Sequence, residues 1–196
     1  MTNVIRVLAV ENDKDFTYLI RAAIDGQTDM ELTGCAAAKE DAIRMAVQQN
    51  PDIVLMDLNL SDSNLDGIEA AKEIRLSTNA KIIILTAFEN PQTVIEASKK
   101  SFASGYIFKS QFEFLVDTIR KTARGHTPQE QMIWSLILND LTAAELGVLQ
   151  SIFEPDRRLL SSQKTIANQK TTILRKLGLK NKRDLEKIFC GSLGSI

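Results

Sequence analysis

Polar side chains stand at the ends of several apolar segments in the first 110 residues. They are Glu11, Asn12, Asp13, Asp57, Asn59, Thr86 and Lys109. Carboxylate oxygens bind hard divalent cations such as Mg²⁺, and an ammonium or hydroxyl group beside them neutralises phosphoryl oxygens. If these side chains converge, an aspartate can accept a phosphoryl group, because in-line transfer needs positioning and charge neutralisation more than covalent assistance.

The first 124 residues alternate apolar segments of strand length with amphipathic segments of helix length. The predicted strands are 4–10, 30–36, 52–57, 81–87 and 105–108, and the predicted helices are 13–25, 39–49, 66–76, 91–102 and 111–124. Such βα units, with strands rich in Ile, Val and Leu, are typical of a parallel sheet covered on both faces. We therefore predict an α/β, doubly wound, five-stranded parallel sheet, in which ligands bind at the shared carboxyl ends of the strands.

Purely structural interpretations of these residues compete with that of a phosphoryl site. A single aspartate after a strand is more often a turn or helix-capping residue, and Tyr106 and Phe108 are equally explained as packing residues. Asp57 is not isolated, however, because the topology brings the polar residues of other strand ends to the same edge. The sequence has no Ser/His/Asp set, nucleophilic Cys/His pair or phosphate-binding glycine loop, so we expect no conventional enzyme.

Charge is unevenly distributed along the 196 residues, although the formal net charge is only −1. Residues 1–128 contain 14 Lys or Arg and 18 Asp or Glu, whereas residues 157–187 contain ten basic residues and two acids, a net charge of +8. Such a segment is either a solvated helix face or a surface that attracts a duplex phosphate backbone. No apolar run reaches the roughly 18–20 residues of a membrane helix and no signal-peptide pattern is visible, so we expect a cytoplasmic protein without membrane association.

The βα alternation stops at the polar segment RGHTPQEQ, which we interpret as the start of a linker. After it the sequence predicts only helices, at 129–138, 141–153, 162–177 and 181–190. Thr142 and Glu145 have the spacing of a capping box, Ser162 is a suitable N-cap, and Gly178 a suitable C-terminal stop. The predicted organisation is an α/β domain at 1–124, a linker with a helix at 125–140, and an all-α domain at 141–196.

Motifs at four strands give residues 1–124 a resemblance to the receiver domain of bacterial two-component response regulators. They are VLAVEND, PDIVLMDLNL with DGIEAAKEIR, IIILTA, and GYIFKS. The resemblance implies a flavodoxin-like receiver whose phosphoacceptor is Asp57, switch hydroxyl Thr86, phosphate-pairing lysine Lys109 and inward-swinging aromatic Tyr106. It also implies Mg²⁺ as cofactor, with ligands drawn from Glu11, Asn12, Asp13, Asp57 and the region of Asn59.

Three positions depart from the pattern of the receiver family. Asn12 stands where that family usually has a second acid that binds the metal directly, and an amide is a poorer ligand for Mg²⁺ than a carboxylate. The loop SDSNLDG after the third strand is longer than usual and lacks a proline. Ser110 replaces a proline that commonly follows the lysine.

A second resemblance covers roughly residues 141–190. LTAAELGVL and SQKTIANQKTTILRKLGLKNKRDL are similar to the first and last parts of the LuxR-type helix-turn-helix domain. By this resemblance 162–177 is the recognition helix, and the residues facing bases or phosphates are Lys164, Thr165, Asn168, Lys170, Thr171, Lys180 and Lys182. Between the two parts, EPDRRLLS is shorter by about half a dozen residues than the scaffold helix that a helix-turn-helix uses.

Together the two resemblances imply a phosphorylation-dependent transcription regulator. Its partners would be a sensor histidine kinase, double-stranded DNA and a second copy of the chain. The alternative is an atypical receiver that signals without phosphorylation through protein contacts, with a shortened effector that does not bind DNA.

Overall fold

The computed structural model describes residues 4–61, 65–125, 127–154 and 162–190. Its five strands form a single sheet in the order β2-β1-β3-β4-β5, and every neighbouring pair is parallel. The strands are β1 Ile5–Val10, β2 Met30–Ala36, β3 Ile53–Met56, β4 Lys81–Thr86 and β5 Gly105–Phe108. Since β1, β3 and β4 are adjacent, the segments that follow them meet at the carboxyl edge of the sheet.

Five helices cover the two faces of the sheet. They are α1 Lys14–Asp25, α2 Lys39–Gln49, α3 Asp66–Ser77, α4 Pro91–Ser101 and α5 Leu115–Arg124. Alternate strand residues such as Val7, Leu55 and Ile83 pack with Ile20 of α1 and Ile119 of α5 in one buried cluster. Helices α2, α3 and α4 pack against one another in sequence order. The predicted doubly wound sheet is confirmed.

The last predicted helix of this region, 111–124, differs from the observed one in its first part. Residues Lys109–Phe114 form a 3-10 segment, and Gln111 has φ −113° and ψ 33°, outside the helical range. Helix α5 therefore begins at Leu115. The apolar pattern did not reveal this break, because a short 3-10 segment presents apolar residues at spacings close to those of a helix.

The chain divides into two compact units at residues 133 and 134, inside the segment predicted as a linker. The remaining helices are α6 Pro128–Leu138, α7 Ala143–Phe153, α8 Gln163–Leu177 and α9 Lys182–Phe189. Among the described residues no single helix is long and apolar enough to cross a bilayer; α6 and α7 together would be, but a sharp bend separates them.

The helix ends of the second unit follow the predicted capping pattern. Thr142 and Glu145 form a complete capping box, and Ser162 caps α8 through a hydrogen bond from the Thr165 N–H group. Gly178 ends α8 in the left-handed region, with φ 64°. Most of the shortened segment 154–161 lies outside the described residues.

Candidate functional site

Lys109 lies at the centre of the polar cluster on the carboxyl edge of the sheet. Its Nζ is 2.6 Å from Glu11 Oε2 and 2.8 Å from Asp57 Oδ2. Both acids are buried, with 3% and 5% of their surface exposed. The sequence prediction that Asp57 and Lys109 lie together is consistent with this geometry, in which one ammonium group pairs with two carboxylates that water hardly reaches.

Burial and pairing act in opposite directions on these groups. Burial raises the pKa of the Glu11 carboxyl, and the hydrogen bond with Lys109 lowers it only in part. Burial alone would lower the pKa of Lys109, but hydrogen bonds and charges from Asp57 and Glu11 outweigh it and raise that pKa. Lys109 is therefore a permanent cation at neutral pH.

Backbone hydrogen bonds fix the two acids at their strand ends. The Asp57 N–H group donates to the carbonyl of Val10 at 2.9 Å, and the Glu11 N–H group donates to that of Ala36 at 2.8 Å. Gly67, at the start of α3, packs directly on this backbone, since a Cβ there would be 2.0 Å from the Asp57 carbonyl oxygen. The glycine is thus a structural requirement of the site that sequence reasoning left unassigned, although it follows Asp66 in the quoted DGIEAAKEIR motif.

An aromatic pair also supports Lys109. Its Nζ lies 4.5 Å from the centre of the Phe16 ring, a distance at which the ring face attracts a cation. Phe112, in the 3-10 segment after Lys109, packs edge-on against Phe16 with ring centres 5.2 Å apart. Sequence reasoning missed both residues, because an apolar ring at a helix start gives the same signal as ordinary core packing.

Thr86 and Tyr106 lie on the neighbouring strands β4 and β5. Thr86 is fully buried at the end of β4, and its Oγ1 accepts a hydrogen bond from the Phe88 N–H group at 3.5 Å. Tyr106 is 8% exposed, and its hydroxyl donates to the Phe88 carbonyl at 3.0 Å. Burial and, second, the charge of Asp57 raise the pKa of the phenol to about 12. The ring is thus in an inward position.

The remaining candidate metal ligands lie at the exposed rim. Asn12 is exposed, and its Nδ2 donates to the Leu60 carbonyl at 3.3 Å. Asp13 caps α1, since its Oδ1 accepts hydrogen bonds from two N–H groups of the first turn, those of Asp15 and Phe16. Asn59 is also exposed, and its N–H group donates to Asp57 Oδ1 at 3.3 Å.

A divalent cation such as Mg²⁺ needs several hard oxygen ligands. Within the described ranges, no three His, Cys, Asp or Glu side chains form a metal-binding group. Glu11 and Asp57 nevertheless fit Mg²⁺, because they are hard oxygen donors that already share one cation, Lys109. The candidate Mg²⁺ site therefore relies on the carboxylates of Glu11 and Asp57. Asp13, which caps α1, and the amide of Asn12 lie at the edge of this site.

Ser110 stands where the receiver family commonly has a proline. Among the described residues no peptide bond is cis, so the bond between Lys109 and Ser110 is trans. The Ser110 hydroxyl donates to Glu89 Oε1 at 2.6 Å and thereby ties the end of β5 to the loop after β4. Residues 62–64 of the long loop after β3 lie outside the described residues.

The second unit presents a polar stripe along α8. Lys164, Asn168, Thr171 and Arg175 are exposed and follow the spacing of one helix face. Thr165, Lys180 and Lys182 are also exposed, whereas Lys170 is half-buried. On the opposite side, Ile173 and Leu177 are buried. Arg175 extends the stripe beyond the residues that the sequence prediction selected.

An ion pair anchors α8 to α7. Lys176 Nζ lies 2.7 Å from Glu145 Oε2 and donates to the Asp140 carbonyl at 3.1 Å. This contact lowers the pKa of Glu145. At the end of the unit, the Trp134 and Phe189 rings pack with centres 5.1 Å apart. Helix α8, which carries the polar stripe, is therefore fixed against α7 within the second unit.

Comparison with known proteins identifies the family. The model of the response regulator receiver domain matches residues 7–120. The chain belongs to the response regulator family. This response regulator is 31% identical to the transcriptional regulatory protein YxjL of Bacillus subtilis, over 94% of the chain and 81% of that protein. It is 29% identical to the transcriptional regulatory protein LiaR of the same species, over 91% of the chain and 93% of that protein.

A solved structure extends this comparison. The crystal structure of a LuxR-family two-component response regulator from Aurantimonas sp. SI85-9A1 is 28% identical and has a TM-score of 0.59, covering 70% of this response regulator and 98% of that chain. The predicted flavodoxin-like receiver fold is confirmed. At the level of the family, the prediction of a phosphorylation-dependent regulator of transcription in a two-component system is confirmed as well.

Proposed function

We propose that this response regulator accepts a phosphoryl group on Asp57 from a sensor histidine kinase and then binds double-stranded DNA as a homodimer through its C-terminal helices. The observation that supports the acceptor role is the buried Asp57 carboxylate held 2.8 Å from the Lys109 ammonium group. A buried carboxylate beside a fixed cation is prepared for the charge that phosphoryl transfer brings.

In this mechanism one Asp57 oxygen attacks phosphorus in line while the bond between phosphorus and the donor breaks. Lys109, held by Glu11 and the Phe16 ring, neutralises one phosphoryl oxygen. Thr86 donates its hydroxyl to another phosphoryl oxygen. This movement of Thr86 pulls on the loop after β4, because the Phe88 N–H group is hydrogen-bonded to Thr86 Oγ1. These contacts give the phosphorylated state a local structure that the unmodified state lacks.

Mg²⁺ would be held by Glu11, Asp57 and a backbone carbonyl near Asn59, with Asn12 and Asp13 at its edge. When bound, it supplies positive charge that neutralises phosphoryl oxygens during transfer. The protein's own part is to hold the two carboxylates in place, through Lys109 and the N–H groups of Asp13 and Asn59, and to bury them so that charge neutralisation is effective.

The acceptor role is tested with acetyl phosphate and Mg²⁺. We expect intact-mass spectrometry to show one added phosphoryl group on the wild-type protein and none on Asp57→Asn. The matched control is Asp117→Asn, an exposed aspartate of α5 that pairs with Lys121. Labelling of Asp57→Asn at the wild-type level would remove Asp57 from this role.

DNA binding is proposed for the exposed stripe of α8, whose lysines and short polar side chains suit phosphates and base edges. A dimer would place two such helices on half-sites about one DNA turn apart. We expect Lys164→Ala to weaken binding uniformly across sequences and to reduce the slope of affinity against salt by about one. Lys121→Ala, an exposed lysine of α5, is the control.

The alternative function, signalling through protein contacts without phosphorylation, is favoured by two sequence features. Asn12 replaces an acid at the metal site, and the segment 154–161 is short for a scaffold helix. Selection from a random duplex library at low salt separates the two functions. Recovery of bound sequences whose affinity falls steeply with salt supports the DNA-binding function, and no retention of any duplex supports the alternative.

A further inference from the structure

The outer edge of β5 is bound by the first turn of α6. β5 is an edge strand, so its outward N–H and C=O groups need partners from outside the sheet. The Gln129 side chain supplies both at Tyr106: its Oε1 accepts from the Tyr106 N–H group at 3.0 Å, and its Nε2 donates to the Tyr106 carbonyl at 3.0 Å. The carboxamide thus takes the place of a sixth strand at one residue.

A small neighbour leaves room for the close approach at this edge. Gly105 precedes Tyr106, and a Cβ at this position would lie 3.2 Å from Gln129 Oε1 and 3.6 Å from Thr122 Oγ1. The absence of a side chain at residue 105 lets the carboxamide reach the strand. The contact therefore uses Gly105, Tyr106 and Gln129 together.

A second contact fixes the same turn of α6. Glu130 Oε2 lies 3.3 Å from the ammonium group of Lys81, the first residue of β4. The Thr127 hydroxyl accepts a hydrogen bond from the Glu130 N–H group at 3.0 Å, as a cap for the helix. Two consecutive residues thus hold the start of α6 against the sheet: Gln129 binds β5 and Glu130 binds β4.

The same tyrosine is connected to the phosphoryl site through its hydroxyl. The Tyr106 hydroxyl donates to the Phe88 carbonyl, and the Phe88 N–H group donates to Thr86 Oγ1. Tyr106 is therefore held at three atoms, by the loop after β4 on one side and by α6 on the other. A shift of Thr86 toward a phosphoryl group would move one of these anchors while Gln129 holds the other.

We propose that Gln129 is a positioning residue that holds Tyr106 in its inward position and links it to α6, the helix that continues into the C-terminal unit. The link to signalling rests on the proposed function, but the positioning of Tyr106 does not. The inward ring and the docked first turn of α6 are then one coupled state, because both depend on the backbone of the same residue.

The positioning role is tested on the two tyrosines of the chain. Tyr106 is 8% exposed and Tyr18 is 70% exposed, so a soluble gadolinium chelate should broaden the Tyr18 ring signal of ¹³C-tyrosine-labelled protein much more than that of Tyr106. In Gln129→Met, which keeps side-chain length but removes both hydrogen bonds, we expect broadening of Tyr106 to increase by roughly twofold or more. The control is Met132→Ala, 68% exposed on the same helix. Unchanged protection of Tyr106 in Gln129→Met would overturn the proposal.

Gln129→Glu provides a second variant that keeps the shape of the side chain. It replaces the donor with a carboxylate that faces the Tyr106 carbonyl, so Tyr106 should be broadened at neutral pH. Protection should return at acidic pH, where the introduced carboxyl group is protonated and can donate. A purely structural defect would not reverse in this way, and broadening that does not depend on pH would count against the proposal.

The link to α6 is tested by hydrogen exchange of residues 127–138 before and after treatment with acetyl phosphate and Mg²⁺. We expect phosphorylation to change the exchange rate in wild type, and Gln129→Met to take up phosphate equally while losing that change. A full change in the variant would overturn the link. If wild type takes up no phosphate, the proposed function fails, and the tyrosine measurement still decides the role of Gln129.

Discussion

Replacing Lys109 with methionine removes a cation that two buried carboxylates share. Methionine keeps most of the length of the side chain and its contact with the Phe16 ring, so the change is mainly one of charge. Glu11 and Asp57, at 2.6 and 2.8 Å from the ammonium group in the wild type, would then face each other without it. The variant therefore isolates the electrostatic part of the site.

The expected cost follows from burial. Because Glu11 and Asp57 are 3% and 5% exposed, water cannot replace the lost partner, and breaking a buried ion pair costs about 3 to 5 kcal/mol of the free energy of unfolding. Protonation limits this cost, since burial already raises the pKa of Glu11 and removal of Lys109 deletes the hydrogen bond that lowers it.

The sign of the pH dependence follows from the raised pKa of Glu11. An acid whose folded pKa exceeds its unfolded pKa binds its proton more tightly in the folded state, so stability is lost as the pH rises through the interval between them. Lys109→Met should thus show its full penalty well above the folded pKa of Glu11. As the pH falls toward 4.5, the ordinary pKa of this carboxyl group, stability should be recovered. The recovery should be about 1.4 kcal/mol for each unit by which the pKa of Glu11 is raised in the folded state.

Urea denaturation in the presence of a chelator, repeated across the acidic to neutral range, measures this directly. Lys121→Met, at an exposed ion pair of α5, is the matched control and should change stability little at any pH. Glu11→Gln combined with Lys109→Met should restore part of the loss, because one buried charge is gone. A penalty that is below about 1 kcal/mol, or that is the same at every pH, would refute the shared-cation account.

Three further outcomes test the rest of the site. Asn12→Asp should tighten Mg²⁺ binding by about tenfold in isothermal titration calorimetry, because a carboxylate joins the donor set; unchanged affinity would place residue 12 outside the ion's reach. Gly67→Ala should lower the free energy of unfolding by about 1 to 3 kcal/mol in urea, because its Cβ would meet the Asp57 carbonyl, whereas Gly147→Ala, with no atom within 4 Å, should not. Between pH 10 and 12 the wild type should lose about 2 to 3 kcal/mol relative to Tyr106→Phe, because the unfolded phenol ionises first; parallel stability curves would contradict a buried hydroxyl.

Much of the site follows from the chain order of strand ends. Asp57, Thr86 and Lys109 were predictable, because in a parallel sheet the carboxyl end of each strand lies on the same edge, and the apolar runs locate those ends. The contact of Phe16 with Lys109 was not predictable, because the two residues are 93 positions apart in the sequence and nothing in the sequence shows that an aromatic ring faces a cation. Gln129 was likewise hidden in a polar segment that is typical of a linker.

The sequence by itself determined the alternation of strands and helices, the helix caps of the C-terminal unit and the identity of the residues at the strand ends. These depend on local spacing, on backbone conformation and on which residues a covered sheet can bury. Only the tertiary structure decided that Lys109 pairs with both acids and that Asp13 caps a helix. It alone decided, too, that the amide of Gln129 binds the edge of β5 at Tyr106. Such partnerships are set by distance in space, and residues far apart in sequence compete for them only once the chain has folded.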